Sequence, residues 1–218
     1  DGTTSVQQNP THVYIAPGTF VVTLTGTDNN GCSKDTTKLI YVSEQPSADF
    51  NYSTPACTGF GIDFFDQSTT PNGYLTQWHW YFGDGTDTII SFPDNPDVTH
   101  IYNVPGAYTV SLSIINSSGC TDSIASQVII GQGPAADFTT NGAQCEDNLV
   151  QFLDLSNGFG FPIQAWLWNF GDPTSGANNT STLQNPYHIF NNPGIYNVSL
   201  QVTSSNGCID TISKNINI

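Results

Sequence analysis

The carboxylates are the residues of this sequence with the greatest capacity for chemistry. A catalytic site occurs once in a protein, whereas Asp49, Asp66 and Asp84 recur 88 residues later as another set of three. The sequence also lacks a Gly-x-Ser-x-Gly nucleophile motif, a His-Glu-x-x-His zinc motif and a phosphate-binding glycine loop. We therefore predict that the chain is not an enzyme and needs no cofactor.

Five cysteines form two periodic series. Cys32, Cys120 and Cys208 each follow a glycine, and Cys57 and Cys145 form a second series with the same spacing. Pairing within one sequence unit would join Cys57 to Cys120 and Cys145 to Cys208. Disulfides persist in oxidising compartments, so we expect an extracellular protein, either secreted or at the cell surface.

The charge of the chain excludes two classes of partner. There are 18 acidic residues against three lysines, which gives a net charge of −15 and a pI of about 4.1. Binding to nucleic acid needs clustered cations, and so does binding to an anionic membrane surface. We therefore expect neither partner for this chain.

A unit of 88 residues is repeated along the chain. The segment 78–84 (Trp-His-Trp-Tyr-Phe-Gly-Asp) recurs as 166–172 (Trp-Leu-Trp-Asn-Phe-Gly-Asp). The period predicts the second half of a unit at 1–45, a complete unit at 46–133 and another at 134–218. Because half a sandwich cannot bury its inner face, we expect the first segment to belong to a longer array.

The short segments of each unit alternate apolar and polar residues, which is typical of β-strands. Trp78, Trp80 and Phe82 lie two residues apart and so share one face, where we expect them to fill a core rather than bind sugar. The segment 108–114 alternates over seven residues and ends in an Asn/Ser/Gly turn. About seven short strands per unit predict an all-β protein of tandem Ig-like sandwiches.

These motifs resemble the signature of PKD (polycystic kidney disease) domains. The resemblance rests on 80–86, Asn95-Pro96, His100 and 105–110, and it covers nearly the whole chain. It departs in the third unit at Pro173, where the family usually has glycine. The resemblance implies Ig-like sandwiches that stack as a rod in extracellular proteins. The Gly-Cys pair of each unit is similar to arrays of Bacteroidota surface proteins, including gliding-motility adhesins and other cargo of type IX secretion.

The Ig-like topology implied by the resemblance favours a disulfide between units. In that topology Cys57 lies at the trailing end of its unit, and the Gly-Cys turn lies at the leading end. A strand of five or six residues separates these ends by about 17–20 Å, whereas a disulfide tolerates a Cα separation of only about 7 Å. We therefore favour Cys57–Cys208, with the two pairings within units as the alternative.

Two further kinds of site follow from the resemblance. Some PKD domains bind calcium through carboxylates near the domain ends, so the periodic aspartates are candidate ligands. We favour the alternative, in which the short Asp side chains bond their own backbone in turns. Asp-Ser/Thr-x segments look like the O-glycosylation pattern of Bacteroidota, although they are also ordinary strand residues. The candidate ligands are Asp49, Asp66, Asp84, Asp137, Asp154 and Asp172. The candidate glycosylation residues are Thr36, Thr88, Ser123 and Thr211.

The predicted function is mechanical. We expect a stalk or filament segment of a large cell-surface adhesin, whose partners are neighbouring repeats of the same chain and other surface proteins or glycans. The alternative is an accessory module of a secreted hydrolase that holds a substrate or carbohydrate. Exposed aromatic residues outside the repeat pattern would favour this alternative, and the candidates are Phe92, Phe159 and Phe161.

Overall fold

The computed structural model describes residues 1–142 and 145–218, and almost all of its regular structure is β-strand. A 3-10 helix at Pro173–Asn179 is the one helix in these ranges, and nothing in them forms a helix able to cross a membrane. The strands are β1 (Gly18–Thr27), β2 (Ser33–Val42), β3 (Phe50–Tyr52), β4 (Gly61–Asp66), β5 (Leu75–Tyr81), β6 (Asp87–Ser91), β7 (Val98–Ile101), β8 (Gly106–Asn116), β9 (Thr121–Ile130), β10 (Phe138–Asn141), β11 (Leu149–Asp154), β12 (Ile163–Asn169), β13 (Thr180–Ser181), β14 (Tyr187–Ile189), β15 (Ile195–Ser204) and β16 (Ile209–Asn217).

The strands form one hairpin and two pairs of sheets. β1 and β2 form the hairpin. The first pair of sheets has the strand orders β3-β4-β7 and β6-β5-β8-β9, and the second pair has β10-β11-β14 and β13-β12-β15-β16. The repeated orders show that the two complete sequence units have the same topology. The all-β, Ig-like fold class is confirmed, and the stacking of units as a rod stays a prediction.

The described chain divides into two compact units that do not follow the sequence repeats. The first unit comprises 1–51, 65–98 and 109–126, and the second comprises 52–64, 99–108 and 127–218. The boundaries 1–45, 46–133 and 134–218 stay a prediction.

The core of the second unit is built on the alternation of β15. Val198, Leu200 and Val202 point inward and are buried, whereas the residues between them are more exposed. They belong to a cluster that is rich in aromatic rings, in which the Phe138 and Trp168 rings meet edge to face at 5.1 Å. This arrangement suits the ring quadrupoles and buries large apolar areas.

The first compact unit contains Trp78 and Trp80, which are equivalent to Trp166 and Trp168 in the second. Trp78 and Trp80 are buried, as is Phe82, which confirms that these residues fill a core. Phe50 meets the Trp80 ring edge to face at 5.3 Å. The indole N–H of Trp80 donates to the Pro96 carbonyl at 2.9 Å, so the polar atom of this buried ring is satisfied.

The β1–β2 hairpin exposes apolar residues whose equivalents in the two complete repeats are buried. Leu24 is 64% exposed, whereas its equivalents Leu112 and Leu200 are both 0% exposed. Val22 and Ile40 are exposed as well, although their equivalents in β15 and β16 are buried. The hairpin therefore has the sequence of a core-forming element but buries little of its apolar face.

We predict that the same substitution has different effects at two equivalent leucines. Leu200→Ala removes a buried side chain and should lower the free energy of unfolding of its repeat by about 2–5 kcal/mol. Leu24→Ala serves as the matched control and should change stability by less than about 0.5 kcal/mol. Urea unfolding followed by tryptophan fluorescence measures both. Equal losses would show that the hairpin face is covered.

Candidate functional site: a disulfide-linked junction

A disulfide joins two loops that belong to different sequence repeats. Cys57 lies between β3 and β4, and Cys208 lies in the turn between β15 and β16. The two residues are bonded with their Cα atoms 5.8 Å apart, across 151 residues of sequence. Both are buried, at 4% and 1% exposure, so the bond is shielded from reductants in solution.

Backbone pairing supports the disulfide from one side. Cys57 forms an isolated parallel bridge with Gly131, which directly follows β9. The Thr58 N–H donates to the Gly131 carbonyl at 3.0 Å, and the Gly131 N–H donates to the Ala56 carbonyl at 2.9 Å. The loop that carries Cys57 is therefore held by main-chain hydrogen bonds as well as by the sulfur bond.

The turn of Cys208 closes the junction from the other side. The Asn206 amide donates to the Gln132 carbonyl at 3.1 Å. Gly207 adopts a φ of +83°, and a Cβ atom there would lie 3.1 Å from the Pro55 Cβ. A Cβ atom on Gly131 would lie 2.7 Å from the Asn206 amide nitrogen. The absence of side chains at these two glycines therefore lets the loops approach closely.

The alternative disulfides within single repeats are wrong. Because a cysteine sulfur forms one disulfide, the Cys57–Cys208 bond excludes both Cys57–Cys120 and Cys145–Cys208. Cys32 and Cys145 are exposed free thiols, and Cys120 is a half-buried one.

Two of the calcium candidates accept hydrogen bonds from tryptophan. The Trp78 indole donates to the Asp66 carboxylate at 2.8 Å, and the Trp166 indole donates to Asp154 at 2.7 Å. The same carboxylates also accept the N–H groups of the serines two residues onward. Asp66 and Asp154 thus satisfy the polar atoms of core aromatic residues.

Asp49 and Asp137 directly precede the first strands of their repeats, β3 and β10. Each carboxylate accepts the N–H of the following phenylalanine at 2.9 Å. Asp137 also binds the Lys214 ammonium at 2.6 Å. The hydrogen bond from Lys214, with that from the Phe138 N–H, lowers the pKa of Asp137 below its usual value.

The last two candidates, Asp84 and Asp172, lie in the turn after the tryptophan strand. Asp84 accepts from both the N–H and the hydroxyl of Thr86. Asp172 is buried and accepts from the Thr174 hydroxyl and from the His188 ring, at 2.5 and 3.2 Å. Burial alone would raise the pKa of Asp172, but these hydrogen bonds outweigh burial and lower it.

The six aspartates do not converge on one site. Over 1–142 and 145–218, no group of three potential metal-ligating side chains is close enough to hold an ion. Their carboxylates are acceptors for turns and core side chains, which is the turn-stabilising role considered from the sequence. Calcium binding stays a prediction.

An open cleft of about 640 Å³ lies beside the Asp172–His188 pair. Thr174 and Ser175 line it, but the Ser175 hydroxyl donates to the Asp172 carbonyl and the Thr174 hydroxyl to its carboxylate. In the described part of the chain neither hydroxyl is hydrogen-bonded to His188. The arrangement therefore lacks an activated nucleophile.

The glycosylation candidates differ in the face on which they lie. Ser123 and Thr211 are exposed on β9 and β16. Thr88 is half-buried and pairs with Trp80, so it lies on the core-facing side of its strand. Thr36 is exposed, but it occupies the position of Ile124 and Ile212 in the complete repeats. Ser123 and Thr211 are therefore the members of the set that are exposed on the outward side of a complete repeat.

The aspartates of the Asp-Ser/Thr-x segments have a structural role that the sequence did not reveal. The Asp122 carboxylate accepts the Ala48 N–H and the Asp210 carboxylate accepts the Ala136 N–H, both at 2.8 Å. The shared 88-residue offset of these pairs was a signal that could have found them. Gly131 gave no such signal, because the equivalent residue in the first segment is Ser43.

The three aromatic candidates lie at the surface. Phe92 is 59% exposed, and its ring contacts that of Tyr74 at 5.0 Å between centroids. Phe159 and Phe161 are exposed as well. Tyr74 and both of these phenylalanines lie in the loops that precede β5 and β12, respectively.

Comparison with known protein families gives a match to the same family along nearly the whole chain. The sequence model of the PKD domain matches residues 1–42, 43–130 and 132–218. The chain is 35% identical over 86 residues to a microbial collagenase of Vibrio alginolyticus, which covers 39% of this chain and 10% of the collagenase. It is 32% identical over 93 residues to collagenase ColA of Bacillus cereus, which covers 43% of this chain and 9% of that protein. The matches thus span about a tenth of these relatives.

Solved structures with similarity include two isolated PKD domains. The PKD1 domain of Vibrio anguillarum Epp is 24% identical, with a TM-score of 0.35, and covers 40% of this chain and 95% of that domain. The PKD1 domain of the Vibrio cholerae metalloprotease PrtV is 20% identical, with a TM-score of 0.35. This match covers 40% of this chain and 98% of that domain.

We predict that the disulfide limits opening of the junction. In Cys208→Ser, the Thr58 and Gly131 amides should exchange with deuterium about tenfold faster or more, since a disulfide contributes roughly 2–4 kcal/mol. Hydrogen-exchange mass spectrometry of the peptides around these residues measures this. Cys32→Ser removes an exposed thiol and should leave the exchange unchanged. Unchanged exchange in Cys208→Ser would mean that the hydrogen bonds hold the junction without the disulfide.

Proposed function

The chain belongs to the PKD domain family, and on that premise we propose that it is a non-catalytic extracellular spacer, a stalk segment of a large cell-surface adhesin. The observation that carries the proposal is the Cys57–Cys208 bond, which gives two successive repeats a second covalent connection. The first connection is the short main-chain linker at 131–134. Two such connections resist separation under tension, which a spacer must withstand.

The composition supports a spacer. PKD domains are generally non-catalytic accessory modules, and they occur in secreted or cell-surface proteins. A net charge of −15 keeps neighbouring molecules apart and soluble. The proposal includes export of the array by type IX secretion and its display on the cell surface in gliding motility. It also includes glycans on Ser123 and Thr211.

A second candidate function rests on the relatives. Two of them are collagenases, so this chain could serve as an accessory module that holds an insoluble protein or carbohydrate for a hydrolase. The specific observation in its favour is the exposed contact between Tyr74 and Phe92. Exposed aromatic rings provide apolar area for binding with little loss of conformational entropy.

Co-sedimentation with fibrillar collagen and with insoluble polysaccharide separates the two functions. The spacer proposal predicts that the oxidised chain stays in the supernatant, because a spacer does not bind the fibre or the polysaccharide through its exposed aromatic residues. Binding of the wild-type chain that Phe92→Ser abolishes would contradict the spacer and support the accessory module. Ile89→Ser is the matched control, since Ile89 is a similarly exposed apolar residue near Phe92 in the sequence.

A further inference from the structure

Three polar side chains form a chain of hydrogen bonds on the outer face of the sheet that contains β5 and β6. His79 and Tyr81 lie two residues apart on β5 and so point to the same side, whereas Trp78 and Trp80 point into the core. Asp87 is the first residue of β6 and lies directly opposite Tyr81. The three side chains therefore meet at one place on the surface of a complete repeat.

His79 is the central member of this cluster. Its ring nitrogen Nε2 lies 2.6 Å from the Asp87 carboxylate, and Nδ1 lies 2.8 Å from the Tyr81 hydroxyl. Because a carboxylate only accepts hydrogen bonds, Nε2 carries the proton of the neutral ring, and Nδ1 accepts the Tyr81 O–H. The His79 and Tyr81 rings also pack against each other, with 3.9 Å between their centroids, and this contact holds the geometry.

The order carboxylate, imidazole and hydroxyl is the arrangement of an activated nucleophile. The imidazole is placed to take the proton of the hydroxyl, and the carboxylate orients the imidazole. The buried Asp172–His188 pair has only the first two groups, because no hydroxyl is hydrogen-bonded to His188 within 1–142 and 145–218. The cluster of His79, Tyr81 and Asp87 therefore has a chemical capacity that the buried pair lacks.

The cluster does not follow the 88-residue repeat. Leu167, Asn169 and Ser175 occupy the equivalent positions in the third unit. The third unit forms the same sheets without the three groups, so the fold does not require them. This distinguishes the cluster from the periodic aspartates, whose hydrogen bonds serve the sandwich.

We propose that Tyr81 is a covalent modification site that accepts an acyl group from an activated aryl ester, with His79 as the general base and Asp87 as a positioning residue. Ile89 pairs with His79 across the strands and is 54% exposed, so it presents an apolar surface to the aryl group. The inference is independent of both proposed functions, because one acylation needs no turnover and leaves the domain non-catalytic.

The transfer is balanced without an oxidant or a reductant. The Tyr81 oxygen attacks the carbonyl carbon of the ester, and a new carbon–oxygen bond forms while the phenol proton passes to Nδ1 of His79. The bond from the carbonyl carbon to the aryl oxygen then breaks, and the aryl oxide leaves. His79 returns the proton to the leaving group or to water. The products are the acyl ester of Tyr81 and a free phenol.

The test measures acetylation of the whole chain by p-nitrophenyl acetate at neutral pH and low conversion. Mass spectrometry of peptides gives the rate at each tyrosine. Tyr74 and Tyr187 are internal controls, because they are 53% and 54% exposed against 42% for Tyr81. Exposure alone predicts slower reaction at Tyr81, whereas we expect Tyr81 to react about tenfold faster than either control, since a positioned general base removes its proton.

Substitutions separate the roles of the two partners. His79→Leu introduces the residue type of position 167 and should lower the Tyr81 rate about tenfold, to that of the controls. Asp87→Asn removes the charge at nearly constant size and should also slow Tyr81. Asp87→Glu restores the carboxylate and should recover most of the rate, which a merely structural role would not predict. The rate at Tyr74, in the same repeat, should stay unchanged in all three variants.

Two results would overturn the proposal. One is acetylation of Tyr81 in the wild-type chain at a rate no higher than at Tyr74 and Tyr187. The other is fast acetylation of Tyr81 that persists in His79→Leu or in Asp87→Asn, because the hydroxyl would then react without the base or without the residue that positions it.

Discussion

The edge-to-face contact between a phenylalanine of the first strand and a tryptophan of the third is the interaction on which each complete repeat depends. It occurs as Phe50 with Trp80 and as Phe138 with Trp168, with centroid distances of 5.3 and 5.1 Å. The strands that carry these rings belong to different sheets. The contact therefore fixes the two sheets of a sandwich against each other, and the loops at their ends follow from that arrangement.

The aspartates serve as hydrogen-bond acceptors within this architecture. Asp66 and Asp154 satisfy indole N–H groups, and Asp122 and Asp210 fix the entry to the first strand. An acidic chain can look like a metal-binding protein, but here the carboxylates are distributed as internal acceptors. Their use in the sandwich explains why they recur with the repeat, and it leaves the cysteines as the side chains that form bonds between repeats.

Much of the fold could be predicted from the sequence because its signals repeat. The two-residue alternation of 108–114 specified a strand with one buried face, and β8 contains this segment. The Cys57–Cys208 bond was favoured over its alternative because opposite ends of a sandwich are too far apart for a disulfide. Gly131 and Asn206 could not be predicted, since their roles arise only where two repeats meet. The 3-10 helix at Pro173–Asn179 was not predicted, and the sequence indicated only that the third unit departs from the repeat at Pro173.

The measurement that tests the account most directly is single-molecule stretching of the chain from its two termini, before and after reduction. If the disulfide connects the repeats, the oxidised chain cannot extend the 151 residues between its sulfurs. Reduction should then add about 500 Å of contour length, at roughly 3.3–3.6 Å per residue. A chain that reaches the same full extension in both states would contradict the account, because the repeats would then be joined by the main chain alone.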